Sequence, residues 1–190
     1  MTLPRFYPIV DSLEAADAVL QAGAQILQWR HKGPLTRQAF ETASAIADLC
    51  RGVPFVVNDR ADVAVLLDAM LHLGQDDLPP AVARQIVYRI GLSTHNAAQM
   101  QAANDEPVVY HALGPIFATT SKTNPDPVVG LAGLRAIAPL SQRPVVAIGG
   151  ITFETAASVI EAGADSVAVI GALQQGDITR TARAWIQHLR

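Results

Sequence analysis

Two aspartates raise the question of chemistry in this sequence. The stretch VVNDRADVAVLLDAMLHLGQDD (residues 56–77) contains two apolar runs, each closed by polar residues. The first ends in Asn58-Asp59-Arg60 and the second in His72-Leu73-Gly74-Gln75-Asp76-Asp77. If the runs are neighbouring strands, Asp59 and Asp77 meet at one edge. A carboxylate pair there is a foothold for Mg2+, which takes one or two carboxylates together with water and phosphate oxygens. The plainer reading is local: Asp59 pairs with Arg60, and Asp76 and Asp77 cap a helix near Pro79. Arg30, Lys32 and Lys122 supply a counterpart, because cations facing a carboxylate-bound metal describe a pyrophosphate site. Solvated surface charge is the plainer reading of these three. Gly149-Gly150 and Gly171 follow the last two apolar runs, where bare backbone N–H groups can meet a phosphate. A tight turn is the ordinary alternative for such a pair.

Other residues with reactive side chains give less. His31, His72, His95, His111 and His188 show neither His-x-His nor His-Glu-x-x-His spacing, which argues against a zinc site. His72 is placed to point into a site mouth, whereas His111, within an apolar run, reads as a satisfied core imidazole. The single Cys50 has no evident His or Asn partner and cannot form an internal disulfide, which fits a reducing, cytoplasmic setting. No Gly-x-Ser-x-Gly, no Walker A and no Gly-x-Gly-x-x-Gly after a strand is present, so common hydrolase and nucleotide readings fall away.

The elements that must position these residues alternate along the chain. Strand-like runs at 5–10, 26–30, 54–57, 70–73, 89–93, 108–113, 145–148 and 166–170 are followed by helical stretches. The helices are expected at 13–22, 36–50, 61–67, 79–87, 97–103, 131–137, 153–162 and 179–189. Near-continuous apolar strands between helices indicate a parallel α/β sheet, and eight such units in 190 residues indicate one closed (β/α)8 (TIM) barrel domain spanning 1–190. Loops must be short, except the aperiodic stretch 117–130 after strand 6, which is expected to be functional and mobile without ligand. In this barrel class the site lies at the carboxyl ends of the strands, where the polar residues above fall. Hydrophobic residues make up 50% of the chain, charged ones 16%, and the net charge is −3. That composition suits small-molecule partners, not nucleic acid or membrane, and is compatible with a homo-oligomer.

In order along the chain, QWRHK (28–32), VNDRADVA (57–64), HLGQDDLP (72–79), GLSTHN (91–96), GPIFATTSK (114–122), VGLAGL (129–134), VVAIGGIT (145–152) and SVAVIGAL (166–173) resemble the thiamine phosphate synthase family. The resemblance implies a Mg2+-dependent transferase that joins hydroxymethylpyrimidine pyrophosphate to hydroxyethylthiazole phosphate and releases pyrophosphate. It further implies metal binding by Asp59 and Asp77, and a catalytic pyrophosphate grip by Arg30, Lys32, Asn58 and Lys122. Gln28 and Ser93 would contact the pyrimidine. Thr119, Ser121, Gly150, Ile170 and Gly171 would hold the thiazole phosphate. The superfamily also includes thiazole tautomerases, and a non-catalytic thiamine-phosphate-binding protein is a third reading. Family members commonly carry Ser where Gly171 stands, and an apolar residue where His111 stands. The N-terminal unit and the connection between strands 3 and 4 are trimmed.

Overall fold

A computed structural model describes residues 2–119, 126–173 and 176–190. Its strands are β1 (Phe6–Val10), β2 (Leu27–Trp29), β3 (Phe55–Asn58), β4 (Met70–Leu73), β5 (Ile90–Thr94), β6 (Tyr110–Leu113), β7 (Val145–Ile148) and β8 (Ser166–Val169). Each pairs in parallel with the next, and β8 pairs with β1 to close the barrel. The helices that follow them are α1 (Leu13–Gln21), α2 (Arg37–Leu49), α3 (Ala61–Leu66), α4 (Pro80–Ala83), α5 (Ala97–Ala103), α6 (Gly130–Ile137), α7 (Phe153–Glu161) and α8 (Ile178–His188). The (β/α)8 barrel expected from the sequence is thus the fold.

Local sequence sets where several helices begin. The side chains of Ser12, Thr36, Asn96 and Asp177 each accept a hydrogen bond from a backbone N–H in the first turn of α1, α2, α5 and α8. The stretch expected to be helical over 79–87 is instead one turn, α4, continued by tighter bonds from Gln85 N–H to Val82 O and from Ile86 N–H to Ala83 O. Pro79 offers no capping side chain there, and Ile86 and Val87 are poor helix formers. α3 is short because Asp68 turns left-handed (φ 49°) just beyond it, sending the chain directly into β4.

Alternation along each strand divides the interior into two compartments. Outward-facing residues such as Val57, Leu71, Leu73 and Leu113 pack under the helices. Inward-facing Tyr7, Ile26, Val56, Met70 and Tyr110 fill the barrel itself. One inward position further toward the carboxyl end, the apolar plug gives way to Gln28, Asn58, His72 and Ser93. Two residues forward on four consecutive strands is therefore the step from core to site.

His111 faces outward and is fully buried, with Nδ1 2.8 Å from Ser141 Oγ and Nε2 3.1 Å from the Ala103 carbonyl. It is the satisfied core imidazole the sequence suggested, and burial lowers its pKa. Burial also pushes the Cys50 thiol up to about 11, which removes it as a nucleophile. Among the described residues no helix is long and apolar enough to cross a membrane.

Candidate active site

The carboxyl ends of the strands surround a cavity of about 990 Å³. That is ample for two small phosphorylated heterocycles, since ligand cavities run from roughly 300 to 1,000 Å³.

Asp59 and Asp77 both line it. Asp59 follows β3 in a left-handed conformation, φ 63°, and the Arg60 N–H reaches back to the Asn58 carbonyl at 2.7 Å. A hydrogen bond spanning two residues around a positive φ is the strained form of γ-turn, a conformation that concentrates at functional sites. The Asp59 N–H is tied to the His72 carbonyl at 2.8 Å, so the strain is held by the β3–β4 ladder. Neither local reading describes these acids. Arg60 forms a two-pronged ion pair with Asp62. Asp77 Oδ2 accepts the Gly74 N–H at 2.6 Å, and α4 has no side-chain cap.

Electrostatics single out Asp59. Although the residue stands open at the rim, its carboxyl is raised to about 6. Loss of solvent around the carboxyl is the first cause, followed by a hydrogen bond with Asp77 and by its charge. Arg30 and a hydrogen bond from Asn58 pull the other way without cancelling them. Two acids pressed together beside too little positive charge make a site that favours a cation.

Gln28, Arg30, Asn58, Ser93, Thr119, Gly150, Ile170 and Gly171 join the two aspartates around the cavity. Arg30 directly follows β2, with its N–H bonded to the Val10 carbonyl at 2.8 Å. Lys32 lies two residues on, exposed, and outside the cavity lining. Ser121 and Lys122, and the middle of the loop expected to move, lie outside the described residues. The root of that loop is fixed by bonds from Ile116 and Phe117 N–H to the Ile148 and Gly149 carbonyls, and from Val129 N–H to the Pro115 carbonyl.

Several contributors were not singled out from the sequence. His95 places Nδ1 2.6 Å from the Gly114 carbonyl and Nε2 3.4 Å from Asp126, joining the end of β5 to both ends of the long loop. Gln75 Nε2 donates to the Ser93 carbonyl at 2.6 Å. Tyr7 and Tyr110 sit beneath the cavity floor and bond to residues that line it. For Tyr110 a signal existed: the only inward glycine on β5, Gly91, is its ladder partner.

Comparison with known proteins agrees with this geometry. Residues 6–173 match a family model described as thiamine monophosphate synthase. The chain is 46% identical to the thiamine-phosphate synthase of Koribacter versatilis, over 91% of this chain and 90% of that one. It is 44% identical to the enzyme of the same name from Chloroflexus aurantiacus, over 88% and 80%. A solved structure of thiamine phosphate pyrophosphorylase from Pyrococcus furiosus superposes with a TM-score of 0.89 at 31% identity, over 98% of this chain and 95% of that one. A 3-hexulose-6-phosphate synthase structure, 16% identical with a TM-score of 0.74, shares the fold alone. Barrel, cavity and matched segments coincide, and this chain belongs to the thiamine monophosphate synthase family.

Proposed function

We propose that this protein is a thiamine phosphate synthase, joining hydroxymethylpyrimidine pyrophosphate to hydroxyethylthiazole phosphate with release of pyrophosphate. The observation that carries the reading is the meeting of Asp59 and Asp77 at the cavity rim with Arg30 acting on the same carboxyl. A thiazole tautomerase needs no such acidic pair.

The donor set fits Mg2+. Two carboxylates at one edge leave room for water and phosphate oxygens, the all-oxygen set that Mg2+ takes. Held by Asp59 and Asp77, Mg2+ would neutralise charge on the departing pyrophosphate. Arg30 and Asn58, with Lys32 and Lys122 from the flanking loops, orient the same group and balance its developing charge. Gln28 and Ser93 hold the pyrimidine, whose amino group stabilises positive charge on its methylene as the leaving group departs. The thiazole nitrogen then attacks that methylene, so the reaction uses no protein nucleophile. Gly150 and Gly171, after β7 and β8, offer backbone N–H groups to the thiazole phosphate, and the family resemblance adds Thr119, Ser121 and Ile170 to the same site.

Incubation of the protein with both phosphorylated substrates, with Mg2+ or with EDTA, tests the proposal. Thiamine phosphate is expected with Mg2+ and not with EDTA. Absence of product with Mg2+ present sinks the synthase reading, and metal-independent isomerisation of a thiazole carboxylate phosphate would put the tautomerase in its place.

A smaller effect is expected at Gly171. A Cβ built there meets nothing within 4 Å, so a small side chain has room to start. Gly171→Ser should lower KM for the thiazole phosphate by about threefold to tenfold, the worth of one ordinary added hydrogen bond at a rim open to water, with kcat little changed. Steady-state kinetics with that substrate varied gives the answer, and a raised KM would remove Gly171 from the phosphate site.

A further inference from the structure

A continuous chain of hydrogen-bonded side chains runs through the barrel beneath the cavity. Gln28 Nε2 donates to Tyr7 Oη at 3.0 Å, and the hydroxyls of Tyr7 and Tyr110 lie 2.9 Å apart. Tyr110 Oη is 2.8 Å from His72 Nδ1, and His72 Nε2 is 2.9 Å from Ser93 Oγ. Gln28, His72 and Ser93 line the cavity, whereas the two tyrosines are buried below it. The arrangement is built in by the backbone. Tyr110 occupies the space that Gly91 leaves empty, since a Cβ on Gly91 would fall 2.0 Å from the tyrosine ring. Its ring also stacks on His72, with centroids 5.6 Å apart and planes 14° from parallel.

Such a chain has a direction. Tyr7 accepts the Gln28 N–H; if it also accepted the Tyr110 proton, its own proton would be buried without an acceptor in the chain, which is costly. Tyr7 therefore donates to Tyr110, and Tyr110 donates to His72 Nδ1. The imidazole then carries its proton on Nε2 and donates to Ser93 Oγ. Ser93, already an acceptor, has its proton free to turn to the cavity. The Gln28 carbonyl oxygen, which is in no hydrogen bond among the described residues, remains an acceptor.

We propose that Tyr7 and Tyr110, acting through His72, are positioning residues that fix Ser93 as a donor and Gln28 as an acceptor, and so select an aminopyrimidine over its oxo counterpart. This rests on the reading that Gln28 and Ser93 face the pyrimidine. An aminopyrimidine presents an N–H donor beside a ring nitrogen that accepts, which complements the pair. The oxo form presents the inverse, a carbonyl beside a ring N–H, and leaves like groups facing each other.

The tautomer of His72 tests the chain independently of activity. In protein labelled with 15N-histidine, with the His72 signals assigned by their loss in His72→Asn, two-bond 1H–15N spectra at pH 7 should show a neutral ring protonated on Nε2. Tyr110→Phe, an isosteric change, removes the donor to Nδ1 and should shift the ring toward the Nδ1–H tautomer or a mixture. Tyr7→Phe removes the donor that turns the Tyr110 proton toward His72 and should shift the ring in the same sense but less, because the Tyr110–His72 bond itself remains. A wild-type ring protonated on Nδ1 overturns the proposal. Selection is read as the ratio of kcat/KM for amino and oxo pyrimidine pyrophosphates. We expect the ratio to be roughly a hundredfold or more in the wild type and to fall about tenfold in Tyr110→Phe, with KM for the thiazole phosphate unchanged. An unchanged ratio in Tyr110→Phe overturns the selective role. If the wild type makes no thiamine phosphate, the functional reading fails by itself, and calorimetric binding of the two pyrimidines supplies the same ratio.

Discussion

Asp59→Asn is expected to yield a protein that is more stable without metal than the wild type, and nearly inactive. The Asp59 carboxyl is raised from 3.8 to about 6 by loss of solvent and by Asp77. Between these values the folded protein binds a proton that the unfolded chain does not, so stability falls as pH rises through the window and stays reduced above it. The asparagine amide carries no charge to repel Asp77, and Asn accepts a left-handed backbone as readily as Asp does, so the φ of 63° costs no more. Because the rim is open to solvent, the gain at pH 7 should be on the order of 1 kcal/mol, well below the full linkage value. Activity with Mg2+ should fall by about a hundredfold or more, the scale on which loss of transition-state charge stabilisation is felt. Thermal denaturation shows both sides. Without Mg2+ the wild type should melt higher at pH 5 than at pH 7; Asp59→Asn should show little of that rise. Saturating Mg2+ should raise the wild-type melting temperature at pH 7 and leave the variant unmoved. An Asp59→Asn protein that is destabilised, or still stabilised by Mg2+, would remove Asp59 from the metal site. Asp77→Asn should differ in stability, since Asp77 also accepts the Gly74 N–H and that bond weakens with the charge.

The contrast between these two aspartates shows what a sequence discloses and what it withholds. Apolar runs followed by polar residues are visible in one dimension, because strand alternation and the barrel rule together carry each run's last inward residue to the mouth. The places of Gln28, Asn58, Asp59, Asp77 and Ser93 around the cavity were therefore legible from the ends of the apolar runs, as were the eight strands, whereas the parts given to Gln28 and Ser93 came from the family resemblance. What one dimension conceals is which of several nearby partners each side chain takes. Arg60 is adjacent to Asp59, yet it bonds to Asp62. Asp77 precedes a proline-led helix, yet it holds the Gly74 N–H instead of capping that helix. The tyrosine pair was harder still, because Tyr7 and Tyr110 lie 103 residues apart in the sequence and meet only when β8 closes on β1 and Gly91 makes room for a ring. The helix length that failed is that of α4, and lengths are what local preference fixes least when tertiary packing holds the strands on both sides. His72 illustrates the intermediate case. Its place at the mouth followed from alternation, but its bonds to Ser93 and Tyr110 required the register of three neighbouring strands.

Gly150→Ala is the second change expected to have a large effect, and it distinguishes a glycine kept for its backbone angle from one kept for the space it leaves. Gly150 has φ 64°, and a Cβ there would lie 2.4 Å from the Ala118 carbonyl oxygen and 2.8 Å from the Phe117 carbonyl carbon. Both contacts are to backbone, in the stretch that roots the long loop by the Phe117 N–H bond to the Gly149 carbonyl. No rotation of a flexible side chain can relieve them, so loop root and β7 must move apart. Gly52 provides the control: its φ is 86°, but a Cβ would meet nothing within 4 Å. Gly52→Ala should therefore cost only the left-handed penalty, about 1–2 kcal/mol. Gly150→Ala adds displacement of packed backbone and should cost on the order of 3–4 kcal/mol, in the upper range for a single substitution. The kinetic consequence follows from what the loop carries. With Ala118 and Thr119 pushed off the rim, KM for the thiazole phosphate should rise at least about tenfold; the pyrimidine pyrophosphate, proposed to share Lys122 of this loop but also to be held by Arg30, Asn58 and the two aspartates, should change less. Chemical denaturation of the two variants, together with kinetics for each substrate, measures both quantities. Equal stability losses at Gly150 and Gly52 would mean that the loop root yields without cost. An unchanged KM for the thiazole phosphate would mean that this root does not position its phosphate.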